Sequence, residues 1–227
     1  MLAQWIKKWS EEDRVHFARE SDTRRTACVS QMKAAGLWDE MDEAERLFME
    51  TGDLETTQRQ MIDASWLAES IACLLWALGQ LEEIPGYDEE ASFEWINSHL
   101  ANGGAERSKP ASLRSTDEID RMRDLAELWN WRSRTRKLLE SGNMPTVLED
   151  GMTMDEIIRL CATKAAEDRA FKAPIGDDFP AFGKPFRDIS AEEFSTATSI
   201  AQERHRAFNW LCGYAPDNRW NETPTDT

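Results

Sequence analysis

The sequence predicts an all-α fold: a single compact multi-helix domain over residues 1–227, built around a central apolar helix at about 64–83. Three observations predict it. Apolar residues recur at three- and four-residue spacing along most of the chain. Several of these runs are preceded by a Ser/Thr-x-x-acid sequence, in which the hydroxyl caps a free N–H and the acid returns the bond. No segment combines sustained apolar/polar alternation with Asn-Gly or Asp-Gly turns, so strands are expected to be absent or few.

In chain order, helices are expected near residues 2–9, 11–35, 39–51, 54–83, 89–101, 115–141, 153–170 and 190–213, the 54–83 run being long enough for two. Starts are marked by Ser10 with Asp13, Ser115 with Glu118, Thr153 with Glu156 and Ser190 with Glu193. Two connections stand out. Residues 102–113 carry Gly103, Gly104 and Pro110, and residues 172–189 form a long Pro/Gly-rich loop with Pro174, Gly176, Pro180, Gly183 and Pro185. The second is long for a compact domain and fits a lid, a packed loop or a mobile insert.

Forty-three acidic against twenty-seven basic residues give a net charge of −16. Such a surface repels nucleic-acid backbones and anionic membranes, and speeds encounter with a basic protein partner. Cys28, Cys73, Cys161 and Cys212 are widely spaced with no CxxC pair, a pattern of reduced thiols in a cytoplasmic protein with no metal site. The N-terminal residues lack the apolar core of a secretory signal. The longest apolar stretch, Ala64 to Leu81, is interrupted by Glu69 and reads as a buried helix, not a membrane span. Ten Trp and nine Phe against two Tyr point to an aromatic core.

Three blocks carry the chemistry. In the first, Ser65 to Tyr87, Glu69 is the only charged residue between Asp63 and Glu82, so its carboxylate needs a cation or a donor. The second, Leu113 to Lys137, places Asp117, Glu118 and Asp120 at a helix start and Arg132, Arg134, Arg136 and Lys137 towards its end, as the helix dipole favours. Arg132 and Arg136 share a face and form a candidate anion patch beside Trp129 and Trp131. The third is the C-terminal seam Phe194, Ala197, Ala201, Arg204, Phe208, Leu211, in which Arg204 occupies a core position and needs an acidic partner. Glu69 is the expected partner. His205 turns about a hundred degrees away from Arg204 and reads as a hydrogen-bonder. Asp226, in a segment without helical pattern, is expected to dock on an arginine, Arg114 being the first choice. No nucleophile elbow, HExxH, P-loop or GxGxxG sequence is present.

Taken together, the blocks resemble the domain of unknown function 4272 (DUF4272) family. The resemblance rests on W-x-x-E-S with L-L-W-A-L-G and a following I-P at Trp66 to Pro85, and on L-R-S-x-x-E-I at Leu113 to Ile119. It continues in E-R-x-x-A-x-N-W-L at Glu203 to Leu211 and the closing W-x-x-x-P-T-D-T at Trp220 to Thr227. It spans roughly residues 24–227, leaving residues 1–23 as an extension. It implies a mostly helical domain whose matching positions include Glu69, Arg114, Glu118, Asp124, Arg204, Trp210 and Asp226, and it brings no activity, substrate or cofactor. The chain departs at Leu128 to Arg132, where a more regular Arg-x-x-Trp-Ala segment is expected.

Two functions compete. One is a non-enzymatic binding protein that neutralises a basic partner such as a toxin. The alternative is an enzyme of unrecognised type, in which Glu69, Arg114, Glu118, Arg204, His205 and Asp226 converge on a helical pocket. A nucleic-acid contact through Trp129 to Lys137 ranks last on charge. The sequence does not specify an oligomeric state.

Overall fold

The computed structural model describes residues 10–52, 56–102, 112–149 and 151–226. Among these, the helices are α1 (Glu11–Ala34), α2 (Glu43–Glu50), α3 (Gln58–Ala77), α4 (Phe93–Asn102), α5 (Thr116–Glu140), α6 (Met154–Glu167) and α7 (Ala191–Leu211). The only sheet among them is a two-stranded hairpin of β1 (Pro180–Ala181) and β2 (Lys184–Pro185). The helix expected at 2–9 and most of the 102–113 connection lie outside the described residues. By compactness the chain divides into two units, Met1–Ala64 and Ser65–Thr227.

The four capping sequences do what their spacing predicts. Ser10, Ser115, Thr153 and Ser190 each accept the backbone N–H three residues on, and the acid at that position accepts the N–H of the cap residue. A fifth box, Asp42 with Glu45, starts α2. In the first unit, Arg25 donates from Nη1 to the Thr51 carbonyl at 2.6 Å, tying α1 to the end of α2.

The second unit holds the apolar core. Helix α3 contributes Ala68, Ala72, Cys73, Trp76 and Ala77, all buried. Helices α5 and α7 run antiparallel, as the pairs Arg123 with Asn209, Asn130 with His205 and Arg136 with Ile189 show. Ala126, Ala197, Ala201 and Ala207 are fully buried, and such small side chains let helices approach closely. Trp129 is the aromatic hub: it stacks on Tyr87 at 4.9 Å and meets Phe179 at 5.2 Å and Phe186 at 6.0 Å edge-on.

Helix α3 is one helix, and it stops at Ala77 instead of running to residue 83. Gly79 takes φ +67°, its N–H bonds to Trp76 O, and the Gln80 N–H reaches back to Leu75 O at 2.8 Å, the closure of a left-handed helix cap. The 172–189 segment is a packed loop. Phe179, Ala181, Phe186 and Ile189 are buried, and the β1–β2 pairing places Pro180 opposite Pro185. A second tight turn precedes it. Ile175 and Asp178 exchange both backbone bonds around Gly176, where a Cβ would lie 2.9 Å from Pro185 Cγ. Only glycine fits there.

Gly79→Ala would meet no severe clash, its Cβ lying 3.4 Å from Ser112 O, but the left-handed backbone should cost about 1–2 kcal/mol. Ser115→Ala should cost about 1 kcal/mol by removing the α5 cap. Urea midpoints at unchanged m-value check both.

Candidate functional site

The Glu69 and Arg204 side chains meet in the core. Arg204 Nε donates to Glu69 Oε2 at 2.8 Å and Nη2 lies 2.8 Å from the same oxygen, with Glu69 1% and Arg204 0% exposed. The remaining capacity of both groups is spent on the connection between α3 and α4. Glu69 Oε1 accepts the Ala91 N–H at 2.6 Å, while Arg204 donates to Pro85 O at 2.6 Å and Glu89 O at 3.2 Å. The guanidinium also lies over the Tyr87 ring at 4.8 Å. A buried pair is tolerable only when its leftover donors and acceptors are filled in this way. These contacts explain why α4 begins at Phe93 and not at residue 89: the preceding backbone is committed to the ion pair.

Arg114 and Glu118 join the end of α3 to the start of α5. Arg114 donates to Trp76 O at 2.8 Å, a carbonyl it shares with the Gly79 N–H, and to Leu81 O at 3.1 Å in the turn after α3, and its guanidinium lies over the Trp76 ring at 4.6 Å. Glu118 is the acid of the α5 capping box. Hydrogen bonds from Ser115 hold its carboxyl below the usual range, with Arg114 assisting.

His205 and the tail form a third network, between α5 and α7. Asn130 Nδ2 lies 3.2 Å from His205 Nδ1 and donates to Thr225 O at 2.9 Å. Asn209 Nδ2 lies 3.0 Å from His205 Nε2 and donates to Pro224 O at 2.8 Å. Burial, and then the charges of Arg123 and Arg134, lower the imidazole to about 4, so it is neutral near pH 7. Asp124 is exposed and pairs with Arg123 at 2.7 Å. Trp210 packs against Trp220 at 5.7 Å and donates to Asn218 O. Asp226 docks on Arg134 at 3.2 Å, not on Arg114. The expectation is corrected because the Arg114 donors are consumed by the Trp76, Leu81 and Glu82 carbonyls and by Glu118.

The arginines expected to form an anion patch are engaged internally. Arg132 is 2% exposed and grips Asp178 with two bonds of 2.7 Å. Burial pushes the Asp178 carboxyl up, but the Arg132 bonds and the N–H groups of Phe179 and Arg187 outweigh it and hold the carboxyl below its ordinary value. Arg136 donates to Glu140, Phe186 O and Ile189 O. Asp178, Asn130 and Asn209 escaped the sequence reading. Asp178 lies in a Pro/Gly-rich loop where a charge reads as solvated, and the two asparagines carry no motif.

The candidate residues therefore serve distinct networks and do not converge on one opening. A concavity of about 800 Å³ lies along α1, lined by Val15, Ala18, Arg19, Asp22, Thr23 and Ala27 among others, and includes none of them. Among the described residues no three His, Cys, Asp or Glu side chains gather as metal ligands would, and no helix is long and apolar enough to cross a membrane. What the networks do present is the segment 82–94. Glu82, Glu83, Asp88, Glu89, Glu90 and Glu94 are all exposed there, with no Lys or Arg between them.

A family model described as "Domain of unknown function (DUF4272)" matches residues 13–158. It covers the Glu69 and Arg114 blocks and ends before Arg204. No curated protein and no solved structure matches the chain.

Glu69→Ala or Arg204→Ala should each destabilise by about 3–5 kcal/mol, since each strands a buried charge. Glu69→Leu and Arg204→Met combined should cost less than the sum of Glu69→Leu alone and Arg204→Met alone, which a double-mutant cycle in urea measures. His205 supplies a pH dependence. The unfolded imidazole takes its proton near 6.5 and the folded one only at about 4, so between these values the unfolded chain binds more protons. Stability should be complete above pH 6.5, fall by up to about 3 kcal/mol on acidification towards pH 4, and lose this dependence in His205→Gln.

Proposed function

The chain belongs to the domain of unknown function 4272 family, and from its own geometry we propose that it is a non-catalytic binding protein that captures a basic partner protein, such as a toxin, on its acidic loop. One observation carries this reading. The buried Glu69–Arg204 pair fixes the loop backbone at Pro85, Glu89 and Ala91, so the exposed carboxylates of Glu82, Glu83, Glu89, Glu90 and Glu94 stand on a rigid support, beside Asp88, which accepts the Phe182 N–H. A preordered loop loses little conformational freedom on binding, and an unbroken run of one charge raises the encounter rate with a cationic partner. The net charge of −16 extends the same field and opposes nucleic acid. All four cysteines are free thiols, which supports a reducing, cytoplasmic setting. The enzyme alternative gains no support, because its residues are consumed in separate structural networks.

The test compares two variants of equal charge against a ten-residue Lys/Arg peptide at low salt. Glu82, Glu83, Glu89 and Glu90 are changed to Gln in one, and the exposed Glu12, Glu40, Glu149 and Glu167 in the other. The loop variant should lose at least about tenfold in affinity, or about 1.4 kcal/mol, and the other much less. Equal losses in the two variants would show that net charge alone attracts the peptide and would sink the reading.

A further inference from the structure

Within the second unit, helix α3 is apolar nearly all round but buried on one face only. Ala68, Ala72, Cys73, Trp76 and Ala77 enter the core. On the other side Leu67, Ile71, Leu74 and Leu78 follow a four-three-four spacing, which sets them in one stripe of about three turns, or about 16 Å. Leu67 and Leu78 are 40% and 39% exposed, and Ile71 and Leu74 are half-buried between them. A single exposed leucine needs no explanation, but a helix that is apolar on its outer face as well carries a surface suited to a second element.

The end of the stripe is both broadened and charged. The Ser112 N–H donates to Leu78 O at 3.2 Å and the Arg114 N–H to Ala77 O at 2.8 Å, so residues 112–114 run beside the last turn of α3 and add Leu113, which is 60% exposed. The bonds from Arg114 to Leu81 O and Glu82 O bring the first carboxylates of the acidic loop, Glu82 and Glu83, to the same end. The Arg114 guanidinium does not offset them, because its donors are spent on the Trp76, Leu81 and Glu82 carbonyls and on Glu118. Between Ser65 and Asn102 the sequence holds seven carboxylates and no lysine or arginine, so nothing in this stretch interrupts the negative field.

We propose that Leu67, Ile71, Leu74, Leu78 and Leu113 form a docking surface for a cationic amphipathic helix of the partner protein, whose apolar residues lie along the stripe and whose Lys or Arg side chains reach Glu82 and Glu83. A surface that is apolar along its length and acidic at its end is complementary to such a helix in both respects. A second copy of this chain would bring like charges together, and the same carboxylates oppose nucleic acid. The inference rests on the acidic-loop reading and narrows the partner from any basic segment to a helical one.

Two Leu/Lys peptides of one composition, titrated onto the full-length chain at low salt, test it. In one the leucines recur at i, i+4, i+7 and i+11, and in the other their order is scrambled. The wild-type chain should bind the patterned peptide at least about tenfold more tightly. Leu67→Gln, Leu78→Gln and Leu113→Gln combined should remove that preference and leave the affinity for the scrambled peptide unchanged. These side chains are exposed, so the urea midpoint should stay close to that of the wild type. If the triple variant does not fold, Leu113→Gln alone, outside any helix, should still reduce the preference about threefold. Changing Glu82, Glu83, Glu89 and Glu90 to Gln should weaken both peptides together, so the preference reports the stripe and the shared affinity reports the loop. Equal affinity of the wild-type chain for the two peptides, or a preference that survives the leucine substitutions, would overturn the proposal and leave the loop reading standing. A wild-type dimer in sedimentation equilibrium that the leucine substitutions abolish would assign the stripe to a second copy and overturn it as well.

Discussion

The second unit is organised by one charge pair that has no access to water. Glu69 on α3 and Arg204 on α7 are 135 residues apart in sequence, and their contact fixes the separation and the rotation of both helices. A carboxylate and a guanidinium in such a place are stable only when every remaining donor and acceptor finds a partner. Pro85, Glu89 and Ala91 provide those partners from the backbone, and the connection between α3 and α4 acquires a defined course with neither helix nor strand to supply one. Tyr87 is drawn inward with it. The ring is sandwiched between the Arg204 guanidinium and the Trp129 indole, and burial pushes its phenol pKa up.

A second buried pair, Arg132–Asp178, holds the other long connection, with Nη1 of Arg132 left without a hydrogen-bond partner. Asp178 is set in place by the tight turn at Gly176, and its carboxylate then accepts two donors of Arg132 and the backbone N–H groups of Phe179 and Arg187. Two segments without extended secondary structure are thus each wrapped around a buried arginine anchored on a long helix, one on α7 and one on α5. The Pro/Gly-rich loop is part of the core for this reason: its Phe179 and Phe186 complete the shell around Trp129.

Much of this was legible in the sequence, and the reasons differ from place to place. The helix starts were readable because a capping box is a local device: Ser115 and Glu118 recognise each other across three residues whatever the rest of the chain does. The Glu69–Arg204 contact was readable although it is long-range, because each charge stands alone in an apolar stripe and burial without the other would be prohibitive. The α3 terminus was not, since the apolar run continues to Leu81 and only the left-handed backbone at Gly79 ends the helix. Asp226 was assigned to Arg114 for want of any local constraint on the tail. Its docking on Arg134 follows from the two asparagines, whose amides direct the backbone at Pro224 and Thr225 and carry no charge to announce them.

The distance in sequence between Glu69 and Arg204 also bears on how the protein is made. At synthesis rates of about 5–20 residues per second, about 7 to 27 seconds pass between the addition of Glu69 and that of Arg204, 135 residues later. During that interval α3 leaves the ribosome with a carboxylate in its most apolar face and no cation to meet it, and α5 lacks the helix against which it packs. The nascent chain must wait in a solvated, unclosed state until α7 emerges. The last quarter of the sequence is therefore the step that commits the second unit to fold, and a ribosome that stalls before residue 204 would release a chain with its core open.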